Sequence, residues 1–141
     1  MPTTVRFANN FLVYSVPTPS VIPYFITEEQ RRFYDKANLC FEAWKKKLNM
    51  QLYLRLHAPL RENVFGTYNS LWRRFNINND KFGEICINVL KHKTEQDLYD
   101  TIKHEIAHAV CDLIYNDNCG HGSTWIKVAK IMNVKTTNYI H

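Results

Sequence analysis

His104, Glu105 and His108, within Thr101-Ile-Lys-His104-Glu105-Ile106-Ala107-His108-Ala-Val110, form an H-E-x-x-H pattern. On a helix, residues four apart lie on one face, so His104 and His108 can offer two imidazoles to one cation. A zinc ion held this way with an open coordination position lowers the pKa of its bound water to about 7. Glu105, beside the histidines, can then take the water's proton as a general base, which is the core chemistry of metal-assisted peptide hydrolysis. With 6 His in 141 residues, such a pattern arises by chance about once in a hundred chains of this kind. The setting makes chance a poorer explanation. Leu98, Ile102, Ile106, Ala109 and Leu113 follow at helical steps and place an apolar stripe on a different face from the histidines.

Catalytic zinc sites usually take three protein ligands. No Glu follows His108, so a downstream glutamate cannot complete the set, and Cys111 and Ile114 stand where the extended Gly and His of a longer motif would be. Asp112 is eight residues from His104, about 12 Å along a helix axis, and is better suited to orienting a histidine than to binding the same ion. The leading candidate is His121, in the turn-rich loop Asn116-Asp-Asn-Cys119-Gly120-His121-Gly122-Ser123-Thr-Trp125. Glycines on both sides allow the chain to turn back over the metal helix, and Ser123 can cap the helix that follows. Cys119 and Asp117 are the next ligand candidates.

The elements that must position these groups follow from local pattern. Thr94 and Asp97 give a capping signal for a metal helix over about Glu95–Tyr115. Trp125, Val128, Ala129 and Met132 continue as a buried helical stripe. Upstream, Thr27-Glu28-Glu29-Gln30 reads as a capping box, followed by Phe33, Ala37, Phe41, Trp44 and Leu48 on one face of a helix ending near Asn49. Leu52, Leu54 and Leu56 alternate with Tyr53, Arg55 and His57 as in a half-buried strand. Val64 to Phe75 is strand-like, interrupted at Gly66; a turn over Asn76 to Lys81 then leads to a strand at Glu84–Val89. Residues 1–26, broken by Pro17, Pro19 and Pro23, read as an irregular or partly extended arm on a single domain over 27–141. The expected class is α+β: a small three-stranded sheet packed on an N-terminal helix and the metal helix, followed by a short C-terminal helix.

Composition narrows the function classes. At 141 residues and 45% apolar, the chain suits one core. Neither a signal peptide nor a membrane span is supported, which points to an intracellular protein with Cys40, Cys86, Cys111 and Cys119 reduced. The net charge of +5 favours polyanions. Lys45-Lys46-Lys47 reads as a solvated face complementing a helix end. Trp72-Arg73-Arg74-Phe75 fits either a strand with alternating faces or a stacking platform for unpaired bases.

HEIAH, the thirteen-residue step to His121, and Gly120-His121-Gly122-x-x-Trp125 together resemble the SprT-like domain of bacterial SprT proteins and the Spartan protease. The resemblance covers roughly the last hundred residues. It implies a zincin-like fold, zinc bound by His104, His108 and His121, and Glu105 as general base. It also implies proteolysis of proteins on or crosslinked to DNA, including single-stranded DNA. One departure is plain: the chain has no C-x-x-C pair of the kind that forms the family's C-terminal zinc ribbon. A different reading is a DNA-associated zinc-binding protein without proteolysis, and a third is a regulatory protease that cleaves a repressor. In the tail, Tyr139 could serve as an oxyanion donor, though packing explains it more simply.

Overall fold

The computed structural model describes residues 3–6, 13–16, 27–56, 64–77, 79–118 and 120–135. His57, Cys119, Tyr139 and the proline-punctuated part of the arm lie outside them. Within the arm, β1 (Thr3–Arg6) and β2 (Val13–Val16) pair antiparallel, with Thr3 opposite Val16.

Helix α1 (Glu28–Leu48) begins at the expected capping box: the Thr27 hydroxyl accepts from the Gln30 amide, and the Gln30 side chain accepts from the Thr27 amide, each at 3.0 Å. Its buried side is Tyr34, Ala37 and Phe41, and its last turn carries Lys45, Lys46 and Lys47, where cations complement the helix dipole. The alternation of Leu52, Leu54 and Leu56 becomes β3 (Leu52–Arg55), with the leucines inside.

The strand expected across Val64 to Phe75 is shorter and ends in a helix. Strand β4 covers only Gly66–Asn69, and Leu71–Arg74 forms one helical turn, α2. The aromatic run was misleading because Trp72 is buried by folding α2 over a small cluster with Leu71, Ile77 and Phe82, not by pairing in a sheet. Burial of Trp72 also removes it as an open stacking platform. Strand β5 (Gly83–Ile87) occupies the centre of the three-stranded sheet, in order β3-β5-β4, parallel to β3 and antiparallel to β4. Buried on both faces, it reads as a continuous run with little alternation.

A 3-10 turn (Val89–Lys91) leads into α3 (Glu95–Leu113), capped by Thr94, whose hydroxyl accepts from the Asp97 amide at 3.1 Å. Leu98, Ile102, Ile106 and Ala109 are fully buried, and the helix packs against α1, β4, β5 and α4 (Ser123–Met132). Most of its other faces are buried as well, so α3 is a central helix and not a surface one. The class is therefore α+β, with a small mixed sheet. Among the described residues, no helix is long and apolar enough to cross a membrane.

Candidate metal centre

The structure brings His104, His108 and His121 together. The Nε2 atoms of His104 and His108 each lie 3.2 Å from Nε2 of His121, and the three candidate ligand atoms are all within 4.8 Å of one another. Imidazole nitrogens placed tetrahedrally about an ion at 2.0–2.1 Å, the usual distance on zinc, would be roughly 3.3–3.4 Å apart. Three ring nitrogens turned inward at this spacing therefore fit a divalent cation. Among the described residues, this is the one cluster of His, Cys, Asp and Glu with the spacing of a metal site.

Each candidate ligand reaches the cluster for a local reason. His104 and His108 are one turn apart on α3, and their burial (1% and 8% exposed) follows from the central place of that helix. Glu105, also 1% exposed, occupies the next position on the same helix. His121 is exposed and arrives from the loop after α3. Gly120 has φ +66, and nothing would obstruct a Cβ there, so glycine is required for its backbone and not for space. Gly122 is extended and forms the N-cap of α4. Ser123, expected as that cap, is instead the first helical residue; the Thr124 hydroxyl donates to Asp117 Oδ2. Asp117 thus accepts from the first turn of α4 and is not one of the three clustered metal-binding candidates.

Trp125 is the floor of the site. It is 2% exposed and contacts all three imidazoles, with ring centroids at 5.0 Å from His104, 5.4 Å from His108 and 4.6 Å from His121. Its ring stacks on His108 and stands edge-on to His121. Helical periodicity identifies Trp125 as core, but only the fold shows that this core residue also packs against all three imidazoles.

Asp112 has a different role from the one expected of it. Its carboxylate is fully buried and accepts from Tyr68 Oη (2.6 Å), Trp72 Nε1 (3.0 Å) and Arg73 Nε (2.7 Å), none of them a histidine. Burial and the neighbouring carboxylate hold the Tyr68 phenol far above its ordinary pKa, so it remains a donor. Asp112 therefore ties α3 to β4 and α2. At Gly66 the approach of β4 to α3 is so close that a Cβ would lie 2.9 Å from Thr101 Cγ2. The thiols of Cys40 and Cys86 are pushed up to about 11 and about 12, mainly by burial, which keeps them un-ionised.

One further polar group on the metal-helix face escaped sequence reasoning. His92 is buried; its Nδ1 contacts the carbonyls of Asn88 (3.0 Å) and Val89 (3.2 Å), and its Nε2 lies 2.8 Å from Thr101 Oγ1. Carbonyls only accept, so Nδ1 carries the proton. In the neutral ring, Nε2 then accepts from the Thr101 hydroxyl. His92, Phe65, Lys91, Asp97, Thr101 and Lys135 line a cleft of about 320 Å³. The spacing Asp97, Thr101, His104, His108 puts this cleft on the face of α3 that carries His104 and His108.

Residues 84–140 match the family model described as the SprT-like family. The match spans β5, α3, the His121 loop and α4, a shorter stretch than the last hundred residues. No curated protein and no solved structure matches the chain.

Proposed function

Because residues 84–140 form a SprT-like region, we propose that the protein is a zinc-dependent endopeptidase with His104, His108 and His121 as ligands and Glu105 as general base. The observation that carries this reading is the convergence of three imidazole nitrogens, two from the central helix that also carries Glu105 and one from the loop after it. An all-imidazole donor set suits zinc among the available divalent ions. Bound there, zinc would supply a Lewis acid for a substrate carbonyl and an acidified water. The chain's own residues do the rest. The Glu105 carboxylate takes a proton from the attacking water and returns it to the departing amine nitrogen. Trp125 restrains the ligand rings.

Proteins held on or crosslinked to DNA are the substrates this reading favours. The resemblance suggests them, and a net charge of +5 favours the approach to phosphate. The test is cleavage of a DNA-bound basic protein by the zinc-loaded chain, with and without single-stranded DNA, beside Glu105→Gln. Wild-type cleavage that is lost in Glu105→Gln while zinc stoichiometry is retained supports the assignment. Wild-type-like turnover in Glu105→Gln sinks it. Stimulation by DNA separates DNA-directed proteolysis from a general peptidase. Zinc and DNA binding without any cleavage would favour a DNA-associated binding protein instead.

A further inference from the structure

Arg73 bridges the end of the helix that carries two candidate ligands and the entry to the loop that carries the third. His104 and His108 come from α3, whereas His121 comes from the loop that follows, so the shape of the centre depends on how the chain leaves that helix. Asp112 lies one turn beyond His108, and Asn116 holds the left-handed conformation (φ 54) where the chain turns away. Arg73 Nε donates to Asp112 Oδ1 at 2.7 Å, and its Nη2 donates to Asn116 Oδ1 at 2.8 Å. The guanidinium is planar and rigid, so holding both acceptors fixes the helix end relative to the loop entry. Tyr68 and Trp72 occupy the other oxygen of Asp112 and keep the carboxylate from turning to another partner. Farther on, the Thr124–Asp117 hydrogen bond closes the segment that contains His121.

We propose that Arg73 is a positioning residue for the metal centre: by gripping Asp112 and Asn116 together, it sets His121 against His104 and His108 and so sets the affinity for the ion. The proposal rests on the metal-centre reading above, and its variants leave all three histidines untouched.

The test uses the full chain and zinc alone. Zinc affinity is measured by chelator competition, and the visible spectrum is recorded after cobalt substitution, for wild type, Arg73→Met, Asn116→Gly and Asn116→Asp. Glycine keeps the left-handed backbone but removes the acceptor; aspartate keeps an acceptor and tolerates the backbone. Arg73→Met and Asn116→Gly are expected to bind zinc at least about tenfold more weakly, with altered cobalt bands, while Asn116→Asp stays within about threefold of wild type. Melting of the metal-free proteins reports the purely structural contribution separately. Wild-type zinc affinity in both Arg73→Met and Asn116→Gly overturns the proposal, whatever their melting temperatures. So does an Asn116→Asp variant as weak as Asn116→Gly. Should Arg73→Met fail to fold, the Asn116 pair decides. A wild-type chain that binds no zinc overturns the metal-centre reading itself, and this proposal with it.

Discussion

At the scale of single residues, His92 couples protonation to folding. Desolvation lowers its pKa from the usual 6.5, against smaller opposing effects from the Val89 and Asn88 carbonyls and the Asp97 charge. The folded state therefore binds a proton less readily than the unfolded chain. The stability that His92 contributes is fully present above about pH 6.5 and is lost as pH falls through the lowered folded value. In metal-free protein, the melting temperature of wild type is expected to fall more steeply below pH 6.5 than that of His92→Gln, which retains an acceptor for Thr101. Parallel pH–melting curves would show that His92 does not carry this dependence.

At the scale of elements, asparagine ends the helices. Asn49, Asn76, Asn116 and Asn133 follow α1, α2, α3 and α4, and each has positive φ, between 50° and 58°. An ordinary L residue pays roughly 1–2 kcal/mol in this conformation, whereas Asn and Gly adopt it readily. Urea unfolding should therefore show Asn49→Ala less stable by about 1 kcal/mol and Asn49→Gly near neutral. Equal losses would assign the role of Asn49 to its side-chain contacts and not to its backbone. Asparagine at these ends, with glycine reserved for Gly120, also leaves a side chain available. At Asn116 that side chain binds Arg73.

At the scale of the whole molecule, the candidate ligands connect a central helix to the loop that follows it. A cation bound by the folded state alone should stabilise the chain by about 2.7 kcal/mol at a hundredfold excess over its Kd, raising the melting temperature by roughly 5–10 °C. Zinc added to chelator-stripped protein should produce this rise, and His121→Ala should abolish most of it. An unchanged melting temperature in wild type would argue against a folded-state site. Much of this was legible beforehand: α1, α3 and α4 have strong helical periodicity, and both parts of the histidine cluster lie in short motifs. The arrangement of strands was not, because a parallel β3–β5 pair is made across intervening chain and leaves no local signature. The tie at Asp112 was equally hidden, since its donors are 39 to 44 residues away in sequence.

The sequence by itself determined the capped starts of α1 and α3, the apolar faces and which three histidines come together. Each depends on side chains within a few residues of one another, where helical spacing or a turn-forming glycine sets the outcome. The tertiary structure alone decided that α2 and not a strand follows β4, that Asp112 turns from the histidines toward Tyr68, Trp72 and Arg73, and that Trp125 faces all three imidazoles. Those outcomes depend on which distant segments compete for the same buried volume, and a buried carboxylate takes the donors that the packed core brings to it.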